Sequence, residues 1–224
     1  NKMEKIYFSN NKSEEIYELF LKKKYKVLKI LKNDNRSKVL LIEILNRKLV
    51  LKIPIEKNTK KWQRFISIFR GSESRREYFN CLKIQRSGFL GLTPVLFYEK
   101  KECLMVKDSF LITEYLEGKI GSIENLEEIS KELNKIHNFG FLHGDSQLPN
   151  FIIKNENVYI IDAKFQRNIY GSIGASYEFI YLEESCHKNI DIYNKTTLSY
   201  KIAKCLNSYL HWLGRMKKKL RGKE

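Results

Sequence analysis

The stretch from Ile136 to Asp162 reads I-H-N-F-G-F-L-H-G-D-S-Q-L-P-N-F-I-I-K-N-E-N-V-Y-I-I-D. It sets three oxygen-bearing side chains in one register: Asp145, Asn150 and Asp162. Asp145 follows His143-Gly144 in a loop, where a carboxylate can orient an acceptor hydroxyl and receive its proton. Asn150 stands five residues on and offers a neutral amide oxygen to Mg²⁺. Asp162 closes the apolar run Val158–Ile161, and a carboxylate emerging from a buried strand end can bridge Mg²⁺ to phosphates. Singly, each reads as an ordinary turn or loop residue. Together they read as a site that moves a phosphoryl group from ATP to a hydroxyl, with His143 bracing the loop rather than transferring protons.

The flanking sequence predicts the scaffold. Ile123, Leu126, Ile129, Leu133 and Ile136 recur at helical spacing, so 123–138 is a predicted helix, with Ser122 as its cap and Gly140 beyond its end. Phe151–Ile153 and Val158–Ile161 form a hairpin across Asn155–Asn157, and 176–187 and 196–220 are helical. Upstream, Ser13–Lys23 reads as a helix, followed by strands at Lys26–Leu31, Lys38–Leu45 and Lys48–Ile53, the last two joined by a turn near Asn46-Arg47. Lys60–Phe69 and Glu73–Ser87 read as helices, and Thr93–Tyr98 and Phe110–Glu114 as strands. Gly118 and Gly121 mark a break, taken as a hinge. Sheet, break and mostly helices describe a two-lobed α+β domain, with an N-lobe over 1–116 and a C-lobe over 117–224.

The first lobe supplies candidate nucleotide ligands. Lys52 follows Leu49-Val50-Leu51 on a strand expected to be central, and fits a phosphate-anchoring lysine. Its expected partner is Glu77, with Glu73 one turn earlier as the alternative. The backbone near Glu114 and Leu116, at the end of an apolar strand, is the candidate reader of the adenine edge.

Composition sets outer bounds. The chain has 224 residues, 42 Lys plus Arg against 26 Asp plus Glu, and a net charge of +16. Such a field favours anionic partners and disfavours a cationic acceptor such as an aminoglycoside. The four cysteines, Cys81, Cys103, Cys186 and Cys205, have no metal-ligand spacing and are expected to be reduced, buried thiols. The first twenty residues carry Glu4, Glu14, Glu15 and Glu18 and no apolar core, so no secretory leader is expected there. No apolar run reaches the roughly 18–20 residues of a membrane span.

The segments L-V-L-K-I-P, R-R-E-Y-F, L-I-T-E-Y-L-E-G, H-G-D-S-Q-L-P-N-F-I-I-K-N and V-Y-I-I-D resemble the lipopolysaccharide core heptose(II) kinases, a branch of the protein-kinase-like superfamily. The resemblance implies a small bilobal kinase fold and ATP- and Mg²⁺-dependent phosphorylation of a heptose hydroxyl in the lipopolysaccharide inner core. It implies Asp145 as catalytic base, Asn150 and Asp162 as metal ligands, and Lys52 with Glu77 on the nucleotide. It places the activity in the cytoplasm, peripheral to the inner membrane, with the core glycolipid as partner and no nucleic acid. The chain departs from the superfamily pattern in three places. The phosphate-covering loop Lys32–Ser37 has no glycine, leaving backbone N–H groups with Arg36 or Ser37 to touch phosphate. The triplet Asp162-Ala163-Lys164 lacks the usual glycine. Where kinases keep a buried aspartate behind the catalytic loop, only Tyr181 aligns, with Glu178 and Glu183 nearby.

Two basic amphipathic stretches remain. Lys60–Arg70 aligns Trp62, Phe65, Ile66 and Phe69; the last helix aligns Leu206, Tyr209, Leu213, Met216 and Leu220. Both stripes are expected to pack into the core. The terminal cluster Arg215, Lys217, Lys218, Lys219, Arg221 and Lys223 is expected to touch an anionic membrane or glycolipid. The rival readings are a kinase for another small molecule or core sugar, and a pseudokinase or nucleic-acid-binding module. The joint retention of Lys52, Asp145, Asn150 and Asp162 speaks against a dead kinase, and no RNA-recognition or zinc-finger signature supports nucleic acid.

Overall fold

A computed structural model describes residues 2–187 and 189–220. The chain divides into two compact units, Asn1–Glu117 and Gly118–Glu224.

The first unit is built on a six-stranded antiparallel sheet. Its elements are β1 (Lys2–Phe8), α1 (Asn11–Leu21), β2 (Lys26–Asn33), β3 (Lys38–Ile44), β4 (Arg47–Ile53), α2 (Ile55–Thr59), α3 (Lys61–Arg70), α4 (Glu73–Arg86), β5 (Pro94–Glu102) and β6 (Met105–Glu114). The strand order is β1-β5-β6-β4-β3-β2. Side-chain alternation along β4 decides the layout. Leu49 and Leu51 point into a core shared with Ile16 of α1, Ile42, Ile44, Leu96 and Ile112. Lys52 therefore belongs to the opposite face, where Tyr78 of α4 packs on Phe97 and Leu111. Lys52 pairs in register with Val39 on one side and Leu111 on the other, so its strand is central as the sequence suggests. The β3–β4 turn falls at Leu45-Asn46, both at positive φ, as tight two-residue hairpins require. That is one residue earlier than the sequence places it.

Strand β1 was not foreseen. It lies on the sheet edge against β5, and its sequence, dominated by charged and aromatic residues, carries little alternation to betray it. Helix α2, five residues after Pro54, is too short for a periodic signal. The Lys60–Phe69 helix forms as α3, but with the opposite face inward. Arg64 Nε donates to the Val106 carbonyl, and Ser67 Oγ accepts from the Val106 N–H. The aromatic stripe faces water: Trp62 is 68% and Phe69 81% exposed, with Phe65 also exposed. The core-packing expectation is wrong here because two polar side chains satisfy β6 backbone groups that an apolar face would leave unbonded.

The second unit contains β7 (Lys119–Ile120), α5 (Leu126–Asn138), β8 (Phe141–Leu142), β9 (Phe151–Lys154), β10 (Asn157–Ile160), β11 (Gln166–Arg167), α6 (Ser172–Cys186) and α7 (Leu198–Leu220). Strands β10, β9 and β7 form one small sheet, and β11 pairs with β8. Helix α5 buries Ile129, Leu133 and Ile136, the face its periodicity predicts. The α-helix starts at Leu126 after a 3₁₀ turn over Ile123–Asn125, and Ser122 makes no capping bond; its hydroxyl meets Asn125 Oδ1 instead. Gly121 is not a free hinge. Its N–H donates to the Phe151 carbonyl, and a Cβ there would lie 2.6 Å from the Leu148 carbonyl oxygen. The residue permits close approach rather than bending.

Helix α7 packs on α6 through Tyr200 and Ala203 against Ile180. Its apolar stripe, expected in the core, is exposed at Leu206, Tyr209 and Met216. Arg215, Lys217 and Lys219 are exposed as well. Arg221 and Lys223 lie outside the described residues, and the side chains of Lys218 and Leu220 are likewise not described. All four cysteines are free; Cys81 and Cys186 are buried, but Cys103 and Cys205 are exposed, against the expectation of four buried thiols.

Ile112 is fully buried where β6 meets β4 and β5. Ile112→Ala is expected to cost about 2–5 kcal/mol, read as a lower urea midpoint of the first unit's transition. A loss below about 1 kcal/mol would contradict this description of the core.

Candidate active site

In the first unit the sheet and α4 bring two candidate residues together. Lys52 Nζ lies 2.8 Å from Glu77 Oε1, with both groups partly buried. Glu73 instead pairs with Arg76 on the exposed side of the same helix, so Glu77 is the partner and Glu73 is not. The start of α4 is fixed at two points. Ser72 Oγ accepts from the Arg75 N–H, and the Ser72 N–H donates to the fully buried Glu99 carboxylate at 2.7 Å. Burial raises the Glu99 carboxyl, but the Ser72 bonds and the Lys101 charge outweigh it and hold the group below the usual range.

The glycine-free loop departs from expectation. Two of its backbone N–H groups, those of Arg36 and Ser37, donate to Asp34 Oδ1, at 2.8 and 2.7 Å. These bonds hold Asp34 below the ordinary aspartate range. The loop is closed on its own carboxylate, an Asx turn in place of glycine flexibility. At the end of β6, the Glu114 N–H is spent on the Thr93 carbonyl, the Glu114 side chain pairs with Arg47, and Leu116 continues half-buried in extended chain.

In the second unit the catalytic-loop candidates are organised by Glu178 of α6. Its carboxylate is buried and accepts from the His143 N–H at 2.9 Å, from the Gly144 N–H at 2.5 Å and from His137 Nε2 at 2.9 Å. Ser146 Oγ donates to the Glu178 carbonyl. Of the three residues weighed for loop support, Glu178 is the one that provides it. Tyr181 accepts from Gln147 at its hydroxyl, and Glu183 bonds Tyr193 and Lys195. The signal was a lone acid inside the apolar run Tyr177-Glu178-Phe179-Ile180-Tyr181-Leu182; a carboxylate there is buried and must be bonded.

His143 is fully buried against the Phe151 ring. Burial pushes its pKa down to about 4, so the ring is neutral and its Nδ1 accepts from the Asp145 N–H at 3.3 Å. This is the bracing role its position suggested. Gly144 has φ +85°, and a Cβ would come within 2.8 Å of Lys164 Cβ, so no side chain fits between the loop and the segment after β10.

Asp145 is half-buried. Burial raises its pKa; Asn150 and Lys164 oppose the rise, while Asp162 and Glu178 add to it. Asn150 Nδ2 donates to the Asp145 carbonyl at 2.8 Å. Its amide nitrogen is thus committed to the loop, and its oxygen is the atom left for a cation. Asp162 is exposed two residues past β10 at φ +52°, a backbone region that aspartate tolerates better than most residues. An amide oxygen with one carboxylate suits Mg²⁺, which keeps waters and phosphate oxygens for its remaining positions. Among the described residues no group of three or more His, Cys, Asp or Glu side chains converges as a denser metal site would require.

Beside Asp145 opens a cleft of about 560 Å³. Asp145, Lys164, Tyr170, Tyr177 and Tyr181 line it, with Leu206 and Leu210 of α7 along one wall. The Tyr177 and Tyr181 rings lie nearly parallel, with centroids 6.4 Å apart. The tyrosines were not identified from sequence, because aromatic residues at helical spacing do not reveal whether they face a core or a cleft.

A family model described as "Lipopolysaccharide core biosynthesis protein (WaaY)" matches residues 3–173. The chain is 28% identical over 166 residues to the lipopolysaccharide core heptose(II) kinase WaaY of Escherichia coli (strain K12), covering 71% of this chain and 72% of that protein. It is 31% identical to a second Escherichia coli protein of the same name, covering 69% and 70%. Among solved structures, WaaP in complex with acyl carrier protein superposes with a TM-score of 0.55 at 14% identity, covering 98% of this chain and 99% of that one. That likeness speaks to the fold alone, which is α+β, with an antiparallel sheet in the first unit and mostly helices in the second. The match across residues 3–173 spans the strand carrying Lys52, the helix carrying Glu77 and the whole Asp145–Asp162 segment, and by it the chain belongs to the WaaY family of lipopolysaccharide core biosynthesis proteins.

Proposed function

We propose that this protein is a kinase that transfers the γ-phosphoryl group of ATP to a heptose hydroxyl of the lipopolysaccharide inner core, on the cytoplasmic side of the membrane. The observation that carries the reading is the half-buried Asp145 carboxylate at the side of a cleft with three tyrosines. Sugar rings present one apolar face and a rim of hydroxyls. Tyrosine faces and hydroxyls suit both, and a carboxylate beside them can take the proton of one hydroxyl.

The roles divide as follows. Lys52, held by Glu77, binds the nucleotide phosphates, and the backbone at Glu114 and Leu116 binds the adenine edge. Asn150 Oδ1 and Asp162 would hold magnesium, which when bound would screen the charge of the transferred group. Asp145 aligns the sugar hydroxyl and accepts its proton. Burial raises its pKa, which makes it a stronger base than an exposed aspartate. Glu178 holds the His143 and Gly144 N–H groups and so fixes the loop that presents Asp145.

Asp145→Asn should lower ATP-dependent labelling of core oligosaccharide by about 10²–10⁴-fold while Mg-ATP still raises the melting temperature; near-parental labelling would overturn the base assignment. The parent's activity should fall, as pH drops, through a carboxyl pKa above the ordinary aspartate value. The sign for stability is opposite: a carboxyl raised by folding is penalised when ionised, so Asp145→Asn should melt no lower than the parent at neutral pH. A marked drop would contradict the burial argument.

Lys52→Met should raise the KM for ATP and weaken thermal stabilisation by Mg-ATP, with the acceptor KM unchanged; unchanged ATP kinetics would remove Lys52 from the site. Glu178→Gln retains one acceptor oxygen but sets an NH₂ group against backbone donors. It should lower kcat about tenfold or more with KM for ATP unmoved, and equal changes in both would assign Glu178 to general stability instead.

A further inference from the structure

Helix α7 is the longest element of the chain, and Leu198–Leu220 contains no acidic residue. Three sectors run along it. Tyr200, Ala203 and Asn207 form the packed sector, with Asn207 Nδ2 bonded to Glu184 of α6 at 2.6 Å. Lys201, Lys204, Arg215 and Lys219 form an exposed basic flank. The third sector is apolar and turned to solvent: Leu198, Ile202, Leu206, Tyr209, Trp212 and Met216 recur at three- and four-residue steps. Tyr209 is 54% and Met216 41% exposed. An apolar arc of this length, flanked by cations and opposite the packed face, is the pattern of a helix that lies in a bilayer interface. Trp212 and Tyr209 are the side chains that favour headgroup depth.

Two observations select the occupant. The helix has cations and no anions, so it complements an anionic lipid surface. The arc is also continuous with the cleft, because Leu206 belongs to both the exposed stripe and the cleft wall. We infer that α7 lies on the anionic bilayer that carries the acceptor, its apolar arc among the lipids and its Leu206–Leu210 edge guiding the sugar of an embedded glycolipid into the cleft beside Asp145. The guiding role rests on the heptose-kinase reading above; the membrane contact does not.

The test uses the full chain with vesicles of phosphatidylethanolamine and phosphatidylglycerol, and with phosphatidylcholine alone as control. The protein should float with the anionic vesicles, less so in high salt, and Trp212 fluorescence should shift to the blue. The double variant Tyr209→Glu/Met216→Glu, whose changes lie outside the cleft lining, should lose flotation. It should also phosphorylate vesicle-embedded glycolipid about tenfold more slowly while labelling the deacylated core oligosaccharide at the parental rate. Absence of flotation by the parent, or equal flotation by the variant, would overturn the inference. So would vesicle-independent retention of the arc by an acidic protein partner, which would make α7 a protein interface. If deacylated oligosaccharide is not labelled but flotation behaves as stated, the kinase reading fails and the membrane contact stands.

Discussion

A single buried carboxylate holds the loop that carries Asp145. Glu178 sits on α6, far in sequence from the loop, and takes the N–H groups of His143 and Gly144 together with the ring N–H of His137. Each donor would cost about 1–3 kcal/mol if buried without a partner. The buried carboxylate in turn would lose its hydrogen-bond partners without those donors. The two requirements satisfy each other in one geometry, which leaves the loop little freedom. His143 then supports Asp145 from below, and Asn150 closes the loop from the side by bonding the Asp145 carbonyl. The cleft tyrosines and the Asp162 carboxylate are placed relative to that fixed loop.

The first unit follows a similar economy. Alternation along β4 sends Leu49 and Leu51 to one core and Lys52 to the other face, where α4 brings Glu77 to it. Helix α4 is itself fastened to the sheet by Glu99, another buried acid that accepts a backbone N–H. In both units a carboxylate carried by one element pins the backbone of another. The loop that glycine usually makes pliable is here folded around Asp34, which takes the Arg36 and Ser37 N–H groups.

Much of this was legible in the chain. Periodicity located α5, the central strands and the β9–β10 hairpin to within a few residues, because those elements bury one regular face. The Asp145–Asn150–Asp162 spacing suggests phosphoryl transfer because an acid and two oxygen ligands in one short register are uncommon without a shared task. What stayed hidden depended on long-range contacts. Glu178 stands out locally as an acid inside an apolar run, but which backbone groups its carboxylate would bond depends on the distant loop. The stripes of α3 and α7 have the spacing of core faces, yet Ser67, Arg64, Ala203 and Asn207 face inward instead. Hydrophobic spacing reports that a face will be covered by something apolar; it does not say whether by the same chain or by a lipid. Strand β1 and helix α2 were missed for want of a pattern long enough to read.

The central claim is that the groups gathered around Asp145 phosphorylate one sugar of the lipopolysaccharide core. The most direct measurement is mass spectrometry of core oligosaccharide from otherwise identical cells with and without this protein. The account predicts a single additional phosphate on one heptose, present only when the protein is made. Identical spectra, or a phosphate carried by a sugar other than heptose, would contradict it.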